Sequence, residues 1–236
     1  DYARAMEWFK KAAELGYPVA MNNIGLMFYD GNGVEQDYAR AMEWFKKAAE
    51  LGLPVAMSNI GWMFCDGNGV EQDYARAMEW FKKAAELGYP AAMHNIGWMF
   101  EKGNGVEQDY ARAMEWFKKA AELGYPVAMN NIGLMFYDGN GVEQDYARAM
   151  EWFKKAAELG YPVAMYNIGW MFYEGNGVEQ DYARAMEWFK KAAELGYPEA
   201  MNSIGWMFEK GNGVEQDFDK AVEWYEKANA LEDSSK

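Results

Sequence analysis

The sequence predicts an all-α fold, a solenoid built from antiparallel pairs of helices. A block that begins "DYARAMEWFKK" recurs at residues 1, 37, 73, 109, 145 and 181, which gives a period of 36 residues. Apolar residues recur at helical spacing within each block, and glycine or proline stands where helices would end or begin. A period of this length is typical of stacked helical units that bury their apolar faces against one another.

The first predicted element of each repeat, which we call helix B, is represented by residues 38–51. Asp37 is placed to cap its N-terminus, and Gly52 is placed to end it in the left-handed conformation. Its predicted buried stripe consists of Ala41, Trp44, Phe45, Ala48 and Ala49. The remaining face carries charges of both signs, so we expect it to lie in solvent.

The second predicted element, helix A, is represented by residues 54–66. Pro54 suits a first helical turn, and Gly67 and Gly69 allow the chain to reverse after the helix. One side of helix A has the same residues in all six repeats and is predicted to be core; in the first copy these are Ala20, Met21, Ile24, Gly25, Met27 and Phe28. We expect a single solenoid domain over residues 1–236 that ends in a polar capping half-repeat at 217–236.

Composition argues against several classes of function. The net charge of −14 would repel a phosphate backbone, so nucleic acid is not an expected partner. No apolar run approaches the roughly 18 residues that a membrane span requires, so we expect no membrane insertion. The one cysteine, Cys65, excludes an internal disulfide and a cysteine-based zinc site.

The sequence contains no convincing motif for catalysis or cofactor binding. Asp30 and Asn32 have the spacing of calcium ligands, but Glu35 stands where that loop needs glycine, so we expect a turn. Cys65 and His94 lie too far apart on neighbouring helices to act as a nucleophile and its base. The sequence therefore predicts a protein that is not an enzyme and that needs no cofactor or metal.

The recurring residues resemble a known repeat family. The matching positions are Ala20, Ile24, Gly25, Phe28, Gly31, Gly33, Val34, Asp37, Ala41, Trp44, Ala48, Ala49 and Gly52. They follow the pattern of the Sel-1-like repeats, relatives of the tetratricopeptide repeats, with Ile for Leu before the glycine and Phe for Tyr after it. The resemblance implies a right-handed superhelix whose helix A lines the concave side, used as an adaptor or scaffold for other proteins.

Positions that vary between repeats lie together on the other side of helix A, within an arc of about 120° on a helical wheel. In the first copy they are Val19, Asn22, Asn23, Leu26, Tyr29 and Asp30. Because the constant side is predicted to be core, we expect the varying side to face outward and, by the resemblance, to line the concave groove.

The two halves of the sequence support this interpretation. Residues 1–108 and 109–216 differ at only seven positions, all in predicted helix A or in the residue before it. The pairs are Leu53/Tyr161, Ser58/Tyr166, Cys65/Tyr173, Asp66/Glu174, Ala91/Glu199, His94/Asn202 and Asn95/Ser203. The exposed charges of helix B do not change, and we interpret the contrast as selection on a binding surface.

The predicted ligand-binding residues are the polar and aromatic members of the varying side. They are Asn22, Asn23, Tyr29, Ser58, Asn59, Trp62, His94, Asn95, Trp98, Glu101, Asn130, Asn131, Tyr137, Tyr166, Asn167, Trp170, Tyr173, Asn202, Trp206 and Glu209. The amides suit an extended peptide backbone, and the indoles suit apolar or cationic side chains. Because acidic residues outnumber Lys102 and Lys210 on this side, the expected partner is a basic protein or peptide with apolar anchors.

Other interpretations of the same residues stay open. The asparagines could bridge adjacent repeats while the tryptophans pack between helices. Rows of tryptophan also stack on sugar rings, so recognition of a glycan or cell-wall polysaccharide is an alternative function. A third is a purely architectural solenoid that associates with itself end to end.

Overall fold

The structure of the protein is a computed structural model that describes residues 2–234. Every regular element in this range is a helix, which confirms the predicted all-α solenoid of paired helices. The helices of the range are α1 (Tyr2–Glu14), α2 (Pro18–Asp30), α3 (Tyr38–Glu50), α4 (Pro54–Asp66), α5 (Tyr74–Glu86), α6 (Pro90–Lys102), α7 (Tyr110–Glu122), α8 (Pro126–Asp138), α9 (Tyr146–Glu158), α10 (Pro162–Glu174), α11 (Tyr182–Glu194), α12 (Pro198–Lys210) and α13 (Phe218–Ser234). The predicted first repeat start at residue 1, and residues 235 and 236 of the predicted cap, lie outside the described residues.

The chain divides after Leu123 into two compact units, residues 1–123 and 124–236. In the first unit helix A is represented by α2, α4 and α6, and in the second by α8, α10 and α12; the remaining helices are copies of helix B. Within each unit, each helix A packs most extensively against the helix B that follows it and less extensively against the one before it. The A–B pair is therefore the basic packed element.

The ends of the helices lie where the sequence predicts them. The Asp37 carboxylate accepts a hydrogen bond from the Arg40 backbone N–H at 3.0 Å and caps α3. Gly31 ends α2 with a φ of 74°, in the left-handed region that favours glycine. The Gln36 amide then donates to the Tyr29 carbonyl at 2.8 Å, so the loop after helix A satisfies a carbonyl of its last turn.

In five A–B pairs the core is a phenylalanine of helix B that lies against a glycine of helix A, and in the pair formed by α12 and α13 Tyr225 lies against Gly205 in the same way. These phenylalanines are at most 1% exposed and are Phe45, Phe81, Phe117, Phe153 and Phe189. A Cβ atom at Gly97 would lie 2.6 Å from Phe117 Cε1 and 3.2 Å from the Ala113 carbonyl oxygen. The glycine is needed for space, because a methyl group there would overlap the ring.

The outer face of helix B differs in one detail from the prediction. Trp44, predicted to be buried, is only half-buried, whereas Met42 is buried with 5% exposure. The Lys47 ammonium lies 4.2 Å from the centroid of the Trp44 ring and shields it from solvent. The same contact between tryptophan and lysine recurs in the other copies of helix B.

The contact between Gly97 and Phe117 gives a prediction about stability. Alanine is favoured over glycine in a helix by about 1 kcal/mol, but overpacking a core costs about 1–3 kcal/mol. We expect Gly97→Ala to lower the Tm, by about 2–4 °C for each kcal/mol of net destabilisation, in thermal unfolding followed by circular dichroism. The cost of Phe117→Leu should be smaller in the Gly97→Ala background than in the wild type. A higher Tm for Gly97→Ala would show that the ring leaves room for a methyl group.

Candidate functional site

All of the predicted ligand-binding residues lie on helix A, as the sequence predicts. Sixteen of them are half-buried and so are accessible in part. These are Asn23, Tyr29, Asn59, Trp62, His94, Trp98, Glu101, Asn131, Tyr137, Tyr166, Asn167, Trp170, Tyr173, Asn202, Trp206 and Glu209. We call this surface the helix A face of each unit.

The expected outward orientation is wrong for four residues. Asn22, Ser58, Asn95 and Asn130 are only 3–5% exposed. The reason is that a side chain of the next helix A lies over the first of them: Asn59 Nδ2 donates to Asn22 Oδ1 at 2.9 Å. Asn167 makes the same bond to Asn130 at 2.9 Å. These asparagines therefore bridge adjacent repeats, as in the alternative interpretation of the sequence.

Asn95 makes a different bridge in the first unit. Its amide fits its neighbours with the oxygen 3.1 Å from Trp62 Nε1 and 3.2 Å from Ser58 Oγ, and with the nitrogen 3.1 Å from the Ala91 carbonyl. The Asn95 oxygen thus accepts a hydrogen bond from the Trp62 indole N–H. One amide of α6 in this way holds the indole of α4 in place.

The tryptophans of helix A contact one another with tilted rings, and some of them also contact the core. The Trp62 and Trp98 rings lie 5.3 Å apart between centroids in the first unit, and Trp170 and Trp206 lie 6.1 Å apart in the second. Trp62 also meets the buried Phe81 edge to face at 5.6 Å. Trp62 and Trp170, the latter through Phe189, therefore each have one side on the core and part of their surface open to solvent.

Tyrosines at the end of helix A are fixed by the loop of the following repeat. The Asn68 amide donates to the Tyr29 hydroxyl at 2.8 Å, and Asn176 and Asn212 make the same bond to their tyrosines. In the second unit the Tyr137 hydroxyl also donates to Glu174 Oε2 at 3.0 Å. These bonds hold the tyrosine rings at the edge of the helix A face.

The same cleft occurs once in each unit, at equivalent positions 108 residues apart. In the first unit it measures about 220 Å³ and is lined by Leu26, Tyr29, Phe45, Asn59, Trp62 and Asp66. In the second it measures about 190 Å³ and is lined by Leu134, Tyr137, Phe153, Asn167, Trp170 and Glu174. We call these the paired clefts. They combine aromatic walls, one amide and one carboxylate.

Sequence reasoning missed the floor of the paired clefts. Phe45 and Phe153 belong to helix B and were predicted only as core residues. Each reaches the cleft because the glycine of helix A in front of it has no side chain. The glycine is visible in the sequence, but the opening beside it depends on how the helices pack.

The second unit has a further cleft of about 380 Å³ on its helix A face. It is lined by Tyr166, Trp170, Glu199, Asn202, Ser203 and Trp206. We call it the Glu199 cleft. It lies beside the paired cleft of the second unit, with which it shares Trp170.

Burial changes the titration of several groups on helix A, among them Cys65 and His94. Burial, and to a lesser degree the Asp66 charge, raise the pKa of the Cys65 thiol to about 12. Burial also lowers the pKa of His94 below its ordinary value, so its imidazole is neutral at pH 7. Among residues 2–234, no three His, Cys, Asp or Glu side chains are grouped so that they could hold a metal ion, and no helix is long and apolar enough to cross a membrane.

Comparison with protein families identifies the repeat. The family model described as Sel1 repeat matches residues 1–17, 18–53, 54–89, 90–125, 126–161, 162–197 and 198–233. Each complete match begins at the proline of helix A and includes the following helix B. No protein with a curated description matches the sequence.

Solved structures of the same fold come from several bacteria. A Sel1 repeat protein from Oxalobacter formigenes is 37% identical over 97% of this chain and 94% of its own, with a TM-score of 0.86. A protective antigen present in uropathogenic Escherichia coli strains is 40% identical with a TM-score of 0.75; the match covers 100% of this chain but 50% of the antigen. An immunity protein from Pseudomonas aeruginosa, 22% identical over 97% of this chain and 82% of its own with a TM-score of 0.62, shares the fold.

The asparagine bridges give a prediction with a control in the chain itself. Asn59→Ala removes the donor to the buried Asn22 oxygen, and leaving a buried acceptor unsatisfied costs about 1–3 kcal/mol. We expect a corresponding fall in the urea midpoint of unfolding. Asn23 occupies the same position of α2, which follows no helix A among the described residues, so Asn23→Ala should change the midpoint much less. Equal effects of the two variants would contradict the bridge.

Two half-buried tyrosine hydroxyls, those of Tyr137 and Tyr197, give a prediction about alkaline pH. Burial raises the pKa of Tyr137 and Tyr197 to about 12, from ordinary values of 10.0, and the Glu174 and Glu199 charges add to the effect. Because the folded-state pKa is the higher one, this stability is fully present below about pH 10 and is lost as the pH rises towards 12. We expect the Tm to fall over that interval, and Tyr137→Phe to reduce the fall. A Tm independent of pH there would contradict the burial of these groups.

Proposed function

The chain belongs to the Sel1 repeat family, and from this premise we propose that it is a non-enzymatic scaffold that binds a protein or extended peptide on its helix A face. Sel1 repeat solenoids are generally scaffolds for protein interaction. The observation that carries the proposal is the presence of the paired clefts, one in each unit. Two openings with equivalent linings are expected if each unit receives one side chain of a partner.

The size and lining of the paired clefts favour a peptide side chain over a larger ligand. At about 190 and 220 Å³ they are smaller than the roughly 300–1,000 Å³ of pockets for drug-sized molecules. Asn59 uses its amide nitrogen for Asn22, and no described residue donates to its oxygen. That oxygen is available to a backbone N–H of the peptide, while Tyr29 and Trp62 contact the apolar part of the side chain.

Charge favours a basic partner. The net charge of the chain is −14, and each of the paired clefts has an acidic residue, Asp66 or Glu174, at its edge. Opposite charge raises the rate of association and disfavours acidic partners. The same charge disfavours nucleic acid as a partner.

Glycan recognition is the second candidate, because the half-exposed indoles offer flat surfaces to sugar rings. Trp62 and Trp98 lie 5.3 Å apart with 47° between their ring planes, so they offer two neighbouring flat faces that are inclined to each other. Cell-wall oligosaccharides are therefore included in the test of the proposal.

The proposal is tested by panning a library of random peptides and measuring the affinity of the recovered peptides. Replacing Trp62, Trp98, Trp170 and Trp206 by alanine should weaken binding at least about tenfold, because tryptophan is enriched among hot-spot residues, whose truncation costs about 2 kcal/mol or more. The matched control replaces four half-buried tryptophans of helix B, Trp44, Trp80, Trp152 and Trp188, and should leave affinity within about threefold.

Circular dichroism establishes that both variants are folded before affinities are compared. Equal affinities of the two variants for the recovered peptides would refute the helix A face as the binding surface. Binding of cell-wall oligosaccharides that depends on the same four helix A tryptophans, with no peptide recovered, would favour the glycan alternative.

A further inference from the structure

Four of the seven differences between the two halves of the chain border the Glu199 cleft. Six residues line this cleft, and four of them, Tyr166, Glu199, Asn202 and Ser203, occupy positions at which the halves differ. Only Trp170 and Trp206 are common to both halves, as Trp62 and Trp98 in the first. Random substitution at exposed positions would not be expected to place four of seven differences around one cleft.

The change from Asn95 to Ser203 frees a hydrogen-bond donor. In the first unit the Trp62 indole N–H is bonded to the Asn95 oxygen at 3.1 Å. In the second unit the shorter Ser203 turns its hydroxyl to the Glu199 carbonyl at 3.0 Å, and no described residue accepts from the Trp170 indole N–H. The Trp170 indole thus lacks the amide acceptor of the first unit, and both Trp170 and Ser203 line the Glu199 cleft.

The other changes make the opening aromatic and acidic. Tyr166 stands where the first unit has Ser58, and its ring lies 6.1 Å from Trp170 and 5.6 Å from Phe189. Glu199 stands where the first unit has Ala91, and Asn202 replaces the neutral His94. Compared with the first unit, the cleft has gained an aromatic wall and one negative charge.

We propose that the Glu199 cleft binds an arginine side chain of a partner peptide, with the guanidinium stacked on the indoles and paired with Glu199. Planar guanidinium groups stack on aromatic rings and pair with carboxylates, and a backbone carbonyl of the same peptide can accept from the Trp170 indole N–H. The Glu199 carboxylate could also accept hydrogen bonds from sugar hydroxyls, but only a cation gains an ion pair from the added charge, so the change to Glu199 favours a cation. This inference rests on the proposed function and names the ligand of one part of the helix A face.

The test uses a short capped peptide with one arginine and the same peptide with citrulline, which has the shape of arginine without its charge. Binding is followed by nuclear magnetic resonance of the full chain labelled with ¹⁵N, in which Trp170→Phe and Trp206→Phe identify their indole N–H signals. The arginine peptide should shift both signals, and the citrulline peptide should bind at least about threefold more weakly, since exposed ion pairs contribute up to about 1 kcal/mol. The Trp62 signal reports binding at the paired cleft of the first unit. A shift of Trp206, which borders the Glu199 cleft and neither of the paired clefts, is the signal that assigns the peptide to the Glu199 cleft.

Two variants separate the features of the cleft. Ser203→Asn restores the residue of the first unit and should weaken binding of the arginine peptide at least about tenfold, because the amide fills the opening and takes the indole N–H. Glu199→Gln keeps the shape and should weaken binding about threefold, with less dependence on salt than the wild type. Neither variant changes a residue of the paired clefts.

Several results would overturn the inference. Equal shifts with the arginine and citrulline peptides would show that the ion pair with Glu199 does not contribute to binding. Undiminished binding by Ser203→Asn would show that the peptide binds outside the Glu199 cleft. Shifts of Trp170 and Trp206 with a cell-wall oligosaccharide but not with the arginine peptide would assign the cleft to sugar. If the arginine peptide fails while library peptides still bind through the helix A tryptophans, this inference falls and the proposed function stands; if both fail, the proposed function falls too.

Discussion

The contact between the glycine of helix A and the phenylalanine of helix B is the constraint on which the rest of the structure depends. It brings the two helices of each pair close enough that Phe117 packs where a Cβ atom of Gly97 would be. The same contact places phenylalanine rings under the binding face, where Phe45 and Phe153 form the floor of the paired clefts. Core packing and the shape of the candidate site are therefore set by one interaction.

Polar side chains on helix A have two roles that compete. Asn22 and Asn130 are buried because amides of the next repeat bond to them, and this joins adjacent repeats at the expense of groups that a ligand could use. Asn95 accepts a hydrogen bond from the Trp62 indole N–H, so this donor too is not available to a ligand. In the second unit Ser203 stands at this position, no described residue accepts from the Trp170 indole N–H, and Ser203 lines the Glu199 cleft. Stability and binding thus draw on the same few positions.

Local signals were sufficient to predict the helices, because capping by Asp37 and termination at Gly31 depend on neighbouring residues alone. The helical wheel correctly placed Ile24 in the core and Trp62 on an accessible side. It failed for Asn22 and Ser58, since a wheel describes one helix and their burial comes from the next helix A. The paired clefts depend on spacing between helices, which no periodicity in the sequence encodes.

The constancy of helix B no longer argues by itself for selection on helix A. Its exposed charged residues make structural contacts. The Arg40 guanidinium pairs with Asp37 at 3.4 Å and lies 5.4 Å from the centre of the Phe28 ring. Lys47 covers Trp44. Substitution of such residues would remove these contacts, so their constancy between repeats is explained without a ligand. The stronger argument is spatial. Four of the seven differences border one cleft, and together they remove a bridge, add an aromatic wall and add a charge. Loss of an internal bond is unfavourable for stability alone, and binding supplies a reason to accept it.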